Sequence, residues 1–595
     1  MRLETMLYRD LLPLTTVLLF YATTAQAQHA FGSLLLYNLG FYGFFPRVWY
    51  KSFNLASPQL NFLKWDARCD NGHYLLALRG SYVGSPAPVL LDSQGNLVWT
   101  DDGFGMVTDF KTQTYRGKEY LTFWAGQNGI RFGYGMGKYY MLDETYQVFK
   151  TIVPVGIGLS GDLHEFHITR EGTALMTIYH PIPYDLSSVG GPSEGWLQDS
   201  MFQEIDIETG ALLFEWKASE HVPINYTMHP YSEGIDADDG LSPPYAFDFF
   251  HINSVDKDDF GNYIISSRHT SMIMCLSSSG ETIWILGSDH NMFTDLSDGR
   301  ATDFRYQHHA RFHGDDLFSV FDNAESEEDS GEYSRGMLLA LDRSNMTATL
   351  VREYTDTTYP QLSESQGSMQ LMDDTGNVVM GLGFLPGFTE FGADGQVLCD
   401  ARFAPWLISH SSFVTSYRVF KGHSWVGRPL NPPAIHLKPS NGALYASWNG
   451  ATEIDRWILQ GGGWEAVRQD QYIDLDEQEK GGFEVAFDID DDQPDYLRVA
   501  AVDAHGRVLG YTEAVNRRIG NVRSTVVRDT AITVSMCAVL MLAIVVSLRR
   551  RIRDAFKSLV QGILPRVCIP QRWRKRKTML GRDRVHELEP LYPPD

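Results

Sequence analysis

The chain has 595 residues, about four times a typical single domain. It carries 74 Asp and Glu against 50 Lys and Arg, for a formal net charge of −24. That balance argues against a nucleic acid held on a basic surface. An apolar content of 43% excludes a disordered chain, and five cysteines exclude a disulfide scaffold or a Cys-rich zinc module.

Residues 1–27 have the layout of a signal peptide. Leu11 to Ala22 is apolar apart from two Thr, and Ala25-Gln26-Ala27 offers a small-residue cleavage site. The charged start (Arg2, Glu4, Arg9, Asp10) is not net positive, so an uncleaved anchor is the alternative. After an N-terminal segment, 28–57, one pattern recurs between residues 58 and 403 and breaks after Trp406, within a repeat domain set at 58–426. A Gly-containing turn precedes an apolar strand at Gly72, Gly117, Gly172, Gly261, Gly314 and Gly376. Later hairpins in each repeat turn near residues 92, 143, 206, 277, 342 and 392, at spacings of 51, 63, 71, 65 and 50. Alternation with turn residues marks strands and hairpins. Six such units predict an all-β fold, a six-bladed β-propeller.

A Pro-marked linker (Arg428 to Pro433) leads into a second all-β unit at 433–517, a small β-sandwich resembling fibronectin type III. Thr530 to Leu548 is then 19 residues without a charge, enough for one transmembrane helix. Arg549-Arg550-Arg551-Ile552-Arg553 opens a basic tail, 549–595, with 13 Lys and Arg against 5 acids. This is a positive-inside signal. It predicts a single-pass type I membrane protein of the secretory pathway or cell surface, its body lumenal or extracellular and its tail cytosolic. The sequons at Asn225 and Asn345 are glycosylation sites in that setting. Of the cysteines, Cys69, Cys275 and Cys399 lie in the body; one disulfide can form among them, and the pair is not specified.

Candidate chemistry sits on the first strand of units three, four and five. These read GDLHEFHIT (161–169), FDFFHINSVD (247–256) and YQHHARF (306–312). His164, His251 and His308 fall at matched positions before their units' glycines, where propeller strands converge on the axis. Arg268, in Ser266-Ser267-Arg268-His269, adds a planar cation suited to an oxyanion. Asn253, two residues after His251, is expected on the same face. His309 and His167 alternate away from His308 and His164, and His269 is expected to pack outward. A single strand histidine is ordinarily structural, but three in register beside an arginine point to a site. Three imidazoles could bind Zn²⁺, yet the arginine repels a cation and no HExxH or Cys pair is present. No metal or cofactor is expected. The acidic runs Asp236-Ala237-Asp238-Asp239 and Glu325 to Glu328 read as solvated loops.

At these residues the chain resembles the arylsulfate sulfotransferase family, in its eukaryotic, fungal-type branch. The matching elements are Gly161 to Phe166, Asp248 to Val255, Ser267-Arg268-His269 and Gln307-His308-x-Ala310, within about residues 55–425. The resemblance implies transfer of a sulfuryl group from a phenolic sulfate to a phenolic acceptor, through a sulfohistidine and without a nucleotide donor. It makes His308 the nucleophile, with His164, His251 and Arg268 holding the sulfuryl oxygens and Asn253 and His309 as further substrate contacts. His309 directly after His308 departs from the motif and leaves the nucleophile ambiguous. The expected partners are the phenolic donor and acceptor and, through the helix, a membrane. The alternatives are a non-catalytic propeller binding an anionic or protein ligand, and a sulfate-ester hydrolase.

Overall fold

Alternating apolar residues and Asp-led turns make this chain almost entirely strand. In the turn before Tyr263, Asp258 Oδ1 accepts from Phe260 N (2.9 Å) and Asn262 N (2.8 Å). Gly261 then closes the turn at φ +82°, where a side chain would be strained. The computed structural model describes residues 31–519 except 128–132, 235–236, 315, 326–330, 359, 424, 439–441 and 464–470. The expected signal peptide, apolar span and basic tail lie outside the described residues. Among the described residues, no helix is long and apolar enough to cross a membrane.

The strands form six antiparallel four-stranded units. Their first strands are Thr415–Gly422 for unit one, Val107–Tyr115 for two, Gly161–Ile168 for three, Ile252–Lys257 for four, His308–Phe312 for five and Ser368–Leu371 for six. Units two and three join in one sheet through the single pair Gly161–Gly137. Unit one corrects the sequence reading. Its innermost strand comes from after residue 406, where the repeat is lost in the sequence, whereas Asn61–Lys64 pairs with the outer edge of unit six. The six units are linked in a cycle, mostly through their first strands. Thr108 Oγ1 donates to Leu163 O (2.6 Å), Tyr179 Oη to Ile252 O (2.7 Å), and Asn253 Nδ2 to Gln307 O (2.7 Å). His309 Nδ1 meets Met369 O (3.0 Å), Ser368 Oγ donates to Val419 O (3.0 Å), and Arg418 returns to Asp109 (2.7 Å). The arrangement is propeller-like.

At the centre of this cycle lie charged groups. Asp109 and Glu165 receive Lys111 Nζ at 2.8 and 2.9 Å, and Arg418 Nη1 at 2.7 and 3.2 Å. Arg311 also binds Glu165, and Arg418 Nη2 donates to Asn253 O (2.8 Å). Burial pushes the Glu165 carboxyl up, but Arg311, Arg418 and Lys111 outweigh it and hold it well below the usual carboxylate range. Apolar layers fill the spaces between units. One packs Ile264, Ile273 and Trp284 of unit four on Phe318, Val320 and Leu339 of unit five. Cys275 lies in that layer as a buried free thiol, pushed up to about 12 by burial. The disulfide is Cys69–Cys399, linking residues 330 apart at the seam of units one and six.

Strands from Ala434–Lys438 to Val515–Asn516 build a two-sheet unit of three and five strands. It packs on the first part of the chain through Glu484 Oε2, which accepts from Lys51 N (2.7 Å) and Ser52 N (2.6 Å), and through Phe483 against Tyr50 and Phe53.

Removing one partner from a buried ion network leaves uncompensated charge. Glu165→Gln should therefore destabilise the protein by about 3–5 kcal/mol, read as a lowered urea midpoint.

Candidate active site

Five of the six first strands carry an irregularity; Ser368–Leu371 of unit six pairs regularly. Register shifts fall between Thr108 and Lys111, Gly161 and Phe166, Ile252 and Ser254, His308 and Arg311, and Ser416 and Val419. Asp109, His251 and His309 take positive φ there. Bulges re-aim side chains and break the two-residue period, so alternation alone misplaces several groups.

His164, His251 and His308 are brought together, at 2%, 5% and 1% exposure. The His164 and His251 rings lie 4.9 Å apart, centroid to centroid. Tyr417 is edge-on to His164 (5.4 Å) and to His308 (6.3 Å). Arg268 follows the second strand of unit four, stacks on Tyr306 at 4.1 Å, and donates from Nη1 to His269 Nε2 (2.8 Å). The expectation that His269 packs outward is corrected. Strand Tyr263–Ser267 has ended, so alternation no longer applies, and the turn folds His269 inward. Its Nδ1 donates to Asp248 O (2.5 Å), and its ring lies 4.6 Å from His251.

Asn253 and His309 do not join this group. The register shift after Ile252 sends the Asn253 amide to Gln307 O. His309 points to Phe420 (5.3 Å) and to the ion network around Glu165. Asp238 is no solvated loop residue either: it is buried, accepts from Asp248 N (3.1 Å), and pairs with His229 Nε2 at 3.2 Å.

The tautomer of His308 follows from its partners. Asn323 Nδ2 donates to Ser363 O (2.9 Å) and Gln366 O (3.0 Å), so Asn323 Oδ1 faces the imidazole. Oδ1 lies 2.7 Å from His308 Nδ1, and Tyr306 O lies 3.0 Å from it. Both are acceptors, so Nδ1 carries the proton and Nε2 keeps its lone pair. Gln366 N makes only a long contact to Nε2, 3.3 Å. Burial, then the Arg268 charge, hold this imidazole well below its ordinary value, so it is neutral near pH 7.

Two Asp–His pairs flank it in different surroundings. Asp162 accepts from Gly135 N (2.8 Å), His164 N (3.0 Å) and Thr177 Oγ1 (3.0 Å), and meets His164 Nδ1 at 2.6 Å. Burial raises its pKa, but His164 and these donors outweigh burial and keep it ionised. Asp248 meets His251 Nδ1 at 2.5 Å and accepts from His251 N (3.1 Å). Burial, then the neighbouring Asp238 carboxylate, push Asp248 up to about 8. Ligand atoms of Asp248, His251 and His269 lie within 4.8 Å of one another. They are already bonded among themselves and to the Arg268 guanidinium, a poor setting for a cation. Cavities of about 290 and 350 Å³ line outer strands instead, one at Tyr115 and Phe149, the other at Val155 and Ile182.

Residues 111–404 match the family described as Arylsulfotransferase (ASST). This part of the chain belongs to the arylsulfotransferase family. The match spans all three site histidines, Arg268 and Asn323. No curated protein matches the chain. Among solved structures, it is similar to a protein of unknown function from Bacteroides caccae at 13% identity and TM-score 0.33, covering 59% of this chain and 98% of that one. It is also similar to the periplasmic gluconolactonase of Pseudomonas aeruginosa at 10% identity and TM-score 0.27, covering 75% and 96%. Likeness at this level says nothing about chemistry.

Asp162, Asp248 and Asn323 went unassigned in the sequence. The first two carry a readable signal, an Asp two or three residues before the site His. Asn323 has none, because its role depends on a turn from another part of unit five.

These shifts make stability depend on pH in opposite directions. Folded His251, His269, His308 and His309 bind protons less readily than the unfolded chain, so stability falls as pH drops below about 6.5. Folded Asp248 keeps its proton up to about pH 8, while the unfolded Asp loses it near 3.8, so its contribution falls as pH rises between them. Asp248→Asn should therefore gain stability relative to the parent as pH is raised from about 4 to 8, measured by urea midpoints across that range.

Proposed function

We propose that this protein is a membrane-anchored aryl sulfotransferase, its six units the blades of a closed propeller around the reacting centre. The observation that carries the reading is the His308 imidazole, held neutral with its Nδ1 proton on Asn323 Oδ1 and a lone pair at Nε2. His308 Nε2 attacks the sulfur of a phenolic sulfate. The S–N bond forms as the S–O(aryl) bond breaks, and the electron pair leaves on the phenolate, which takes a proton from water. An acceptor phenol then gives its proton to His164 Nε2 and attacks the same sulfur. The S–N bond breaks, and its electron pair returns to His308. Two displacements replace one hard one.

The Asp–His pairs divide the remaining work. Ionised Asp162 holds the His164 proton on Nδ1 and leaves Nε2 as the base. Protonated Asp248 donates to His251 Nδ1, so His251 presents Nε2–H to a sulfuryl oxygen. Arg268 supplies a fixed cation for the same oxygens. A phenolate leaves more readily than an alkoxide, which favours aryl esters. The exposed sequons Asn225 and Asn345 and the apolar stretch 530–548 fit a type I protein with a lumenal or extracellular body.

Full-length protein with 4-nitrophenyl sulfate should release 4-nitrophenol in a phenol-dependent, ping-pong manner, and peptide mass should show a sulfated His308. His308→Ala should lower turnover at least about 10³-fold and abolish the adduct; full activity in that variant refutes the assignment. Asn323→Leu, which frees the ring to adopt the wrong tautomer, should lower kcat on the order of 10²–10⁴-fold. Because the His308 pKa is held down, the acid limb of kcat/KM should lie well below pH 6.5.

A further inference from the structure

Arg79 ends the second strand of unit one, His73–Arg79, much as Arg268 follows that of unit four. Its Nη2 donates to Gln366 Oε1 (2.9 Å), and Gln366 N is the group that reaches His308 Nε2. Its Nη1 is sealed from solvent and, among the described residues, has no hydrogen-bond partner. Lys111, Arg311 and Arg418 each have a carboxylate at Asp109 or Glu165, and Lys421 has one at Glu390. Among the described residues, Arg79 has no ion pair. Burial accordingly lowers its pKa to about 10.

Beside it stands Tyr417, whose ring centroid is 6.0 Å from the Arg79 guanidinium carbon. Tyr417 is fully buried against His164 and His308, and among the described residues its Oη also has no hydrogen-bond partner. Two buried donors on neighbouring side chains beside His308 call for an acceptor that the described residues do not supply.

We propose that Arg79 and Tyr417 form a second anion-holding arm of the site, donating to the sulfuryl oxygens of an aryl sulfate from unit one, three places around the ring from the unit that supplies Arg268. This rests on the sulfuryl-transfer reading. A sulfate monoester has three equivalent non-bridging oxygens, and three sets of donors then face them: Arg268, His251 Nε2–H, and the Arg79–Tyr417 pair. Planar guanidinium groups suit such oxygens better than an ammonium does. Gln366 links this arm to the nucleophile, since its side chain positions Arg79 while its backbone approaches His308 Nε2.

The test measures binding of 4-nitrophenyl sulfate and of 4-nitrophenol by calorimetry to full-length His308→Ala protein, with Arg79→Met, Arg79→Lys or Tyr417→Phe added. Arg79→Met should weaken the ester roughly 10-fold or more, and leave 4-nitrophenol within about 2-fold, because only the ester carries the charged acceptor. Arg79→Lys should restore part of the loss, and Tyr417→Phe should show a smaller loss confined to the ester. The melting temperature of Arg79→Met should be unchanged or raised, since the sealed donor is removed. Unchanged ester affinity, equal loss for both probes, or a lowered melting temperature without selective loss each overturns the proposal. If protein with intact His308 turns over the ester and Arg79→Met does so equally well, this inference alone falls. If protein with intact His308 neither binds nor turns over the ester, the transferase reading falls with it. If the ester binds without turnover, the transferase reading falls, and the Arg79→Met affinity still decides the anion arm.

Discussion

Two buried carboxylates hold this molecule in register. Asp109 and Glu165, from units two and three, take up three cations that arrive from units one, two and five. Away from water, each charge must find its partner at hydrogen-bonding distance or destabilise the fold. That requirement fixes how far the first strands of units one, two, three and five slide along the axis, and Arg418 ties unit four to them through Asn253 O. Glu165 follows His164 directly, Arg311 lies three residues beyond His308, and Arg418 binds the backbone of Asn253 near His251. The heights of the three histidines are thus set by an ion network that performs no chemistry itself. Apolar layers between units supply adhesion, but they tolerate sliding that charges do not.

Above that network, like residues receive unlike properties from their surroundings. Asp162 and Asp248 each sit against the Nδ1 of a site histidine. Donors from Gly135, Thr177 and the His164 backbone crowd the first, whereas the second faces another carboxylate, Asp238. One aspartate therefore stays charged and the other keeps a proton. Their histidines become an acceptor and a donor, respectively. The difference arises largely from residues outside these motifs, Gly135, Thr177 and Asp238, which explains why GDLHEF and FDFFHIN look equivalent as text.

The units and most of their later strands were legible because turn chemistry and alternation are local. The His164, His251 and His308 group was legible because matched positions in repeated units must converge wherever the strands do. Ring closure was not, since Thr415–Gly422 lies beyond the last recognisable repeat and pairs with residues 73–79. Alternation failed at His269, where a strand had ended. At Asn253 it predicted a place beside the site, but a bulge redirected the side chain; His309, which only the family resemblance placed there, stays away from it at a bulge with positive φ. Asp238 read as solvated because its burial depends on His229 and Asp248, contacts made only once a long connection folds back. Arg79 was hidden in plain view: LLALRG ends in a cation that only tertiary structure leaves without a counter-ion.

The closing strand also sets a timetable for the nascent chain. All three site histidines are translated well before Thr415–Gly422, yet that strand brings Tyr417 to their rings and Arg418 to Asp109 and Glu165. A ribosome-bound intermediate stopping short of it would contain all three histidines while its axial carboxylates lacked one of their three cations and unit one lacked an inner edge. Assembly of the reactive pocket is thereby deferred until nearly the whole ring has been synthesised. The setting of the three histidines is coupled to completion of the ring rather than to their own appearance in the chain.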